Sequence, residues 1–301
     1  MSNTISTFKN YLPLLDEVYA NASLTAVLDG EQELARQGVN ANELVIPKIT
    51  MDGLANYDRK NGYVDGEVTL TNETVTCNFD RARLFSVDAL DDAETAGIAF
   101  GRLASEFIRT RVVPELDAFR MATYASVSGI GAATPADLTT GAAVIAALRD
   151  AANAMDDAEV PAEQRYLFIT HGLMGLVEDL DLTSSTRVLE RYEAVVRMPQ
   201  SRMYTAITQF DGSSSGQTAG GYVKRAASGS GETAVAAGKN INFMVIHKGA
   251  VIQFQKHVAP KVIAPDQNQH SDAWKFGYRN VGIADVYKNK LAGVYLHAAT
   301  A

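Results

Sequence analysis

The sequence has little of what builds disulfides and membrane spans. Its 301 residues include one cysteine, Cys77, which excludes a disulfide within the chain and is compatible with a reducing compartment. We expect Cys77 to be a small apolar residue on a strand. No run of about 18 apolar residues occurs, so we predict no membrane-spanning segment. The first residues also lack a charged segment followed by an uninterrupted apolar stretch, which argues against a secretory signal. These absences predict a soluble protein that is made in the cytoplasm.

Positive charge is also scarce. The chain has 27 lysines and arginines against 35 aspartates and glutamates, for a net charge of −8, and its basic residues are scattered. A groove that holds nucleic acid needs concentrated positive charge, so we do not expect one. The apolar fraction of 47% and the charged fraction of 21% are those of an ordinary globular protein. The length suggests roughly two domains.

Signatures of catalysis and metal binding are missing or isolated. None of the five histidines has a second histidine three or four residues away, so no zinc site is predicted. No phosphate-binding loop or dinucleotide fingerprint occurs. Residues 212–216 match G-x-S-x-G, but Gly, Ser and Thr follow where a nucleophile elbow needs a helix. We therefore predict no catalytic, cofactor-binding or metal-binding residues, and a serine hydrolase that uses Ser214 remains a distant alternative.

Residues 56–85 are predicted to form two strands of a hairpin. The first half is polar and reaches a natural turn point at Gly62. The second half has apolar residues with the period of a half-buried strand, with one shift of phase. These residues are Val68, Leu70, Val75, Cys77 and Phe79. An isolated two-stranded hairpin is marginal in water, so we expect this apolar face to need a partner.

A long helix is predicted to follow, from about Asp92 to Ser126. Its apolar residues recur at helical spacing, and its length would be roughly 50 Å at ~1.5 Å per residue. Pro114 removes one backbone hydrogen bond, and we expect it to kink this helix without ending it. A second helix is predicted from Thr140 to about Met155, with Asp137 or Thr139 as its N-cap.

The remaining segments are predicted mainly as strands and loops. A strand at 166–170 leads into a short amphipathic helix, and residues 193–210 alternate as strands. The Gly-, Ser- and Ala-rich segment 211–240 is predicted to be a loop with a short ordered piece around Tyr222. Strands resume from Ile241 and continue to the end of the chain. Two apolar helical stripes precede all of this, at Leu12–Tyr19 and at Leu24–Leu28.

Three segments carry a resemblance to a known family. They are VVPELDAFRMATYAS (112–126), RYLFITHGLMGLVEDL (165–180) and the closing stretch from Ile241 to His297, with its Trp-x-Phe-x-Tyr-Arg segment. In this order, the sequence resembles the major capsid proteins of tailed bacteriophages, whose Hong Kong 97-like fold encapsulin nanocompartments share. The likeness lies in the whole series of elements, because no single motif in it is chemically specific.

The resemblance implies an α+β fold with four parts. Residues 1–45 would be an N-terminal arm and residues 46–90 an extended loop, a β-hairpin. A peripheral domain with the long spine helix would combine residues 91–157 and 268–301. An axial domain would span residues 158–267.

The resemblance also implies a function. Copies of such a chain self-assemble into the hexamers and pentamers of an icosahedral phage head, which encloses double-stranded DNA without sequence-specific binding. The virion would be assembled in the host bacterial cytoplasm, with scaffolding, portal and decoration proteins as accessory partners. An encapsulin-type compartment shell is the alternative.

We expect contacts between copies at residues of the extended loop, which are Lys60, Tyr63, Val75, Cys77 and Phe79. Some members of the family crosslink a loop lysine to an asparagine of a neighbour, and Lys60 is the one candidate near the predicted hairpin tip.

Overall fold

The computed structural model describes residues 23–30, 36–37, 43–57, 59–60, 62–94, 98–180, 183–229 and 234–300. The helices in these ranges are α1 (Ala89–Glu94), α2 (Ile98–Phe107), α3 (Val113–Ser126), α4 (Gly141–Asp157), α5 (His171–Glu178) and α6 (Thr183–Leu189). The strands are β1 (Arg36–Gln37), β2 (Glu43–Met51), β3 (Val68–Thr76), β4 (Phe79–Asp88), β5 (Gly131–Ala132), β6 (Arg165–Thr170), β7 (Ala194–Met198), β8 (Ile207–Gln209), β9 (Tyr222–Lys224), β10 (Ile241–His247), β11 (Val251–Ile263), β12 (Ala273–Val286) and β13 (Val294–Ala298). The α+β class is confirmed.

The long helix runs from Ile98 to Ser126, through α2, a π-helical turn at Ile108–Val112 and α3. Pro114 lies in the first turn of α3 and has no N–H to donate to the preceding turn. The π-helical turn lies immediately before it, where the ordinary hydrogen-bond ladder is interrupted. The prediction that the helix continues past Pro114 is confirmed. We call Ile98–Ser126 the spine helix.

The N-cap of α4 corrects a prediction. Neither Asp137 nor Thr139 caps this helix, because the Thr140 side chain accepts the hydrogen bond from Ala143 N at 3.3 Å. Asp137 instead accepts from the hydroxyl and from the backbone N–H of Thr300, the latter at 3.0 Å. These hydrogen bonds lower the pKa of Asp137. Asp137 therefore holds the end of the chain rather than the start of the helix.

A five-stranded sheet, in the order β5-β13-β10-β6-β7, lies between two hydrophobic clusters. The central strand β10 is buried on both faces. Phe243 and Val245 pack with α4 and α5 on one face, while Met244 and Ile246 pack towards the spine helix on the other. This alternation follows from the two-residue period of a strand.

A three-stranded antiparallel sheet, in the order β11-β12-β4, supports the first half of the spine helix. Phe276 and Tyr278 of β12 pack against Ala104 and Ile108 of the spine helix. The segment predicted as a loop contains β9, which pairs antiparallel with β8 and confirms the ordered piece around Tyr222.

Two strands pair across the predicted boundary between the axial and peripheral domains, and the division itself stays a prediction. Strand β11 falls in the predicted axial domain but pairs along its length with β12 of the predicted peripheral domain. Strand β13 falls in the predicted peripheral domain but pairs with β10. The predicted boundaries divide the chain into consecutive segments, whereas β11 and β13 pair with strands that lie in other segments.

The hairpin prediction is wrong in its first strand. Strand β3 pairs antiparallel with β2, from Glu43 opposite Thr76 to Met51 opposite Val68. The polar segment predicted as the first strand lies in the connection between these strands, which we call the hairpin tip (residues 52–67). Strand β4 leaves the hairpin and joins β12. The first strand was missed because Pro47 and Lys48 interrupt the alternation of apolar residues in β2.

The N-terminal stripes have different outcomes. The stripe Leu12–Tyr19 lies outside the described residues. In the second stripe, Leu28 is fully buried, and Leu24 and Val27 pack beside it. All three belong to the hydrophobic cluster between the spine helix and the five-stranded sheet. At least this part of the predicted arm is packed on the body of the chain.

Candidate assembly interface

The hairpin exposes most of its apolar side chains. Its exposed large apolar residues are Ile49, Met51, Leu54, Tyr57, Tyr63, Val64, Val68 and Leu70. Single apolar residues on a surface need no explanation, but a contiguous group of this size is typical of an interaction site. The hairpin is therefore the leading candidate for a contact surface.

Two tyrosines organise the hairpin tip. The rings of Tyr57 and Tyr63 meet edge to face with their centroids 5.0 Å apart, and their residues remain 60% and 88% exposed. The base of the tip is closed by hydrogen bonds between Asp52 and Glu67, in which Glu67 N donates to the Asp52 carboxylate at 2.9 Å. The tip therefore exposes a pair of aromatic rings, and hydrogen bonds close its base.

The five predicted contact residues divide into two groups. Lys60 and Tyr63 lie at the exposed tip, where contact with another copy stays a prediction. Val75 and Phe79 are only 7% and 3% exposed, and Cys77 is half-buried.

The second group packs within its own chain, so its burial does not need a neighbour, and contact of these three residues with another copy stays a prediction. Val75 and Cys77 pack with Ile252 and Ile283 of the three-stranded sheet. The ring of Phe79 lies 5.0 Å from that of Phe119 in the spine helix. Burial raises the pKa of the Cys77 thiol, which disfavours the reactive thiolate.

A buried polar cluster ties residues 23–30 to the spine helix, and we call it the polar latch. Its centre is Asp117, which is fully buried. Asp117 accepts hydrogen bonds from the hydroxyls of Ser23 (2.9 Å) and Thr25 (2.6 Å), and from Leu24 N (3.1 Å). The guanidinium of Arg202 donates to the same carboxylate at 2.9 Å.

A second group of hydrogen bonds completes the polar latch. The buried Arg120 donates to Thr25 Oγ1 at 2.9 Å and to Asp29 at 3.1 Å. Gln253 of β11 donates to Thr25 O and to Asp29, both at 2.7 Å, and accepts from the Tyr124 hydroxyl. Sequence reasoning missed this cluster, although charged residues inside an apolar stretch of helix at positions 117 and 120 were a usable signal.

A cleft of about 710 Å³ opens between the spine helix, the three-stranded sheet and the loop that follows β8. Six aromatic side chains line it, which are Phe79, Phe85, Phe107, Phe210, Tyr222 and Tyr278. Arg81 of β4 joins two walls of the cleft. Its guanidinium pairs with Glu115 of the spine helix at 2.7 Å and donates to Phe210 O, in the loop after β8, at 2.8 Å. Gln209 donates to the same Glu115 carboxylate at 3.1 Å.

The serine candidate does not form a catalytic arrangement. The hydroxyl of Ser214 donates to Asp211 and not to a histidine, and Asp211 also accepts from Ser213 N (2.8 Å) and Ser214 N (2.9 Å). These bonds, led by the one from the Ser214 hydroxyl, lower the pKa of Asp211 to about 2. Residues 212–216 are a surface turn with positive φ at Gly212 and Gly216, and no helix follows.

Two further findings concern the part of the chain that the structure describes. It holds no group of three or more His, Cys, Asp or Glu side chains placed to bind a metal ion. None of its helices is long and apolar enough to cross a membrane.

Comparison with known proteins identifies the fold. No protein-family model and no curated protein sequence matches the chain. Among solved structures, Gordonia phage Cozz aligns at a TM-score of 0.59 and 11% identity, covering 93% of this chain and 87% of that one. The virus-like particle from Pyrococcus furiosus aligns at 0.57 and 9%, covering 96% and 99%. The capsid of cyanophage P-SCSP1u aligns at 0.54 and 11%, covering 88% and 85%. The chain therefore has the Hong Kong 97-like fold of major capsid proteins, as the sequence resemblance predicted.

Proposed function

We propose that this chain is the major capsid protein of a tailed-bacteriophage-type particle, a structural protein and not an enzyme. The single observation that carries this proposal is the likeness of fold to shell proteins over about nine-tenths of the chain. Many copies would form hexamers and pentamers of an icosahedral head, assembled in a bacterial cytoplasm around double-stranded DNA.

The exposed hairpin supports the proposal physically. A protein that remained a monomer would keep Tyr63 and its apolar neighbours in water at a cost of roughly 25 cal/mol per Å² of apolar surface. A shell subunit instead covers such a surface with the next copy, and obligate interfaces of this kind bury 2,000 Å² or more.

The charge of the chain fits a container rather than a DNA-binding protein. With a net charge of −8 and scattered basic residues, the sequence does not offer the concentrated positive charge that a groove for nucleic acid needs to hold phosphates. We infer that DNA would be enclosed without sequence-specific contacts, and that scaffolding, portal and decoration proteins would be its accessory partners.

The sheets support a revised division of the subunit. An axial domain would hold the five-stranded sheet with α4, α5 and α6, and a peripheral domain would hold the three-stranded sheet with the first half of the spine helix. The extended loop would be β2, β3 and the hairpin tip. The spine helix would connect the two domains, because its second half packs on the five-stranded sheet.

A second candidate is an encapsulin-type compartment shell. It is favoured by the alignment with the Pyrococcus furiosus virus-like particle, which covers 96% of this chain and 99% of that one. The two candidates differ in what the shell encloses, so the contents of purified particles distinguish them.

Electron microscopy of the purified protein and of two hairpin variants tests the proposal. In the first variant, an Asn-Gly turn replaces residues 52–67 and joins Met51 to Val68, which are the last paired residues of the hairpin. In the second, a Gly/Ser loop of unchanged length replaces the same residues. We expect closed shells from the parent protein and soluble, folded subunits without shells from both variants.

The outcomes separate the alternatives. DNA in particles from infected cells supports the capsid, and a protein cargo supports the compartment. A parent protein that stays monomeric at assembly concentrations would refute both, and normal shells from the two variants would refute the role of the hairpin tip.

A further inference from the structure

We propose that the contact between His297 and Asn242 is an acid-sensitive switch for the attachment of β13 to the five-stranded sheet. While the imidazole of His297 is neutral, the strand end stays attached, and protonation of the imidazole loosens it. This inference goes beyond the proposed function and does not depend on it. It is carried by the hydrogen bonds that fix the tautomer of His297 and by the burial of its ring.

His297 accepts a hydrogen bond that fixes its protonation state. Its Nδ1 lies 3.1 Å from Asn242 Nδ2, and the same amide nitrogen lies 2.8 Å from the carbonyl oxygen of Ala136. A carbonyl oxygen can only accept, so Asn242 must present its NH₂ group here, with one N–H for each partner. Because that group can only donate, Nδ1 of His297 carries no proton. The neutral tautomer with its proton on Nε2 therefore satisfies Asn242.

A β-bulge places Asn242 within reach of His297. Strand β10 pairs with β13 at Ile241 opposite Ala298 and at Phe243 opposite His297, so Asn242 is the extra residue. A bulge redirects a side chain that regular pairing would point to the opposite face of the sheet. Asn242 is 8% exposed, so its amide needs partners within the protein.

The surroundings of His297 disfavour its charged form. The residue is 4% exposed, and its ring stacks on that of Phe243 with the centroids 5.0 Å apart. Burial is the main cause that lowers the pKa of His297. A proton on Nδ1 would also point at the N–H of Asn242, which replaces a hydrogen bond by a contact between two donors. The face of Phe243 attracts a cation, but it does not supply the acceptor that the new N–H needs.

Protonated His297 would gain no counter-ion from the described residues, because none of their charged side chains pairs with its ring. Two of the nearby charged groups are engaged elsewhere, since Asp137 bonds with Thr300 and Asp150 pairs with Arg149. The ionisable groups on the elements packed around His297 are Asp137, Arg149, Asp150, His171, His247 and Tyr295.

Residues 298–300 are tied to the same two segments that Asn242 joins to β13. Ala299 N donates to Asn240 O at 2.8 Å, and Thr300 N donates to the Asp137 carboxylate at 3.0 Å. These hydrogen bonds require β13 to lie between β10 and the segment that precedes α4. Loss of the histidine contact should therefore loosen residues 298–300 before the rest of the sheet.

The direction of the pH effect follows from the linkage between protonation and opening. Because the pKa of His297 is lowered in the folded chain, the opened strand end binds a proton below pH ~6.5 that the attached one does not. The stabilisation by neutral His297 is present above pH ~6.5 and is lost as the pH falls through the folded pKa. For one proton, the opening equilibrium constant rises by up to about tenfold per pH unit in this window.

Hydrogen exchange of the full chain at about pH 7.5 and about pH 5.5 tests the switch, after correction for the intrinsic exchange rate at each pH. In the parent, we expect the opening constants of the amides of residues 294–300 to rise about 3- to 10-fold at the lower pH, relative to those of β6. His297→Gln, whose neutral amide can accept from Asn242, should abolish this rise. The control is His171→Gln, which replaces an exposed histidine and should retain the rise.

Two outcomes of this experiment would overturn the proposal, which are equal opening constants of the parent at both pH values and the same rise in His297→Gln. If His297→Gln does not fold, deuterium exchange at the imidazole C–H groups of the parent, measured by mass spectrometry, gives the pKa of each histidine separately. We expect a pKa below 6.5 for His297. A value of 6.5 or higher would also overturn the proposal.

Discussion

The polar latch allows a quantitative prediction about the Asp117→Ala substitution. Asp117 is fully buried, and its carboxylate is the common acceptor for Ser23, Thr25 and Arg202. Removing it takes this acceptor from two hydroxyls, two backbone N–H groups and a largely buried guanidinium. The substitution leaves the hydrogen bonds from Arg120 to Thr25 and Asp29 as the remaining polar attachment of residues 23–30 to the spine helix.

The magnitude follows from the kind of interaction lost. Breaking a buried ion pair by removing one partner costs about 3–5 kcal/mol. Total unfolding free energies are about 5–15 kcal/mol, so the loss would be a large fraction of the stability of this chain. The melting temperature should fall by roughly 5–15 °C for a protein of this size.

Two assays measure the effect. Urea unfolding gives the loss of free energy, and hydrogen exchange shows whether the amides of residues 23–30 lose protection at temperatures where the remainder stays folded. The control is Arg197→Ala, which breaks the half-exposed pair of Arg197 and Glu178 and should cost at most about 1 kcal/mol. If Asp117→Ala cost no more than the control, or if residues 23–30 kept their protection, the polar latch would not hold the N-terminal segment.

Two further predictions concern the core and the response to acid. Leu148 is fully buried in the cluster between α4 and the five-stranded sheet, so Leu148→Ala should lower the unfolding free energy by about 2–5 kcal/mol in urea titrations. The control, Leu90→Ala at an exposed site, should change the unfolding free energy by less than about 0.5 kcal/mol. Similar values for both variants would contradict the packing described for this cluster. Hydrogen bonds from Arg165, and secondly from Arg191, lower the pKa of Asp156 in the folded chain. In acid, the unfolded chain therefore binds more protons at Asp156 than the folded chain does. The contribution of Asp156 to stability is present above pH ~4 and is lost as the pH falls through the folded pKa. The urea midpoints of the parent and of Asp156→Asn should therefore differ at pH 7 and converge below pH ~4, and a constant difference would refute this assignment.

Local patterns predicted much of the fold. The spine helix, the strand and helix at 165–178 and the long closing strands were all found where period and composition placed them, because their apolar residues pack in hydrophobic clusters. The N-cap of α4 was misplaced only slightly, at the scale on which helix ends are hardest to predict. The order of these elements was also enough to suggest the fold family.

The candidate interface was predicted less well. The sequence pointed to the hairpin region and to Tyr63, but it placed the first strand in the tip and left Val75 and Phe79 unsupported. A strand shows which of its residues alternate but does not show which sheet will cover them. The cleft gave no local signal, because its lining comes from several separate segments of the chain.

The sequence by itself determined the class of the protein, the positions of its main helices and strands and the absence of any recognisable catalytic motif, since all of these depend on residue types and short-range spacing. Only the tertiary structure decided which strands pair, where Asp117 finds its partners and which apolar residues remain in water. Hydrogen-bond partners separated by more than 90 residues, such as Ser23 and Asp117 or Thr25 and Gln253, are selected when the whole chain packs. The apolar surface that remains exposed after that packing includes the Tyr57–Tyr63 pair of the hairpin tip.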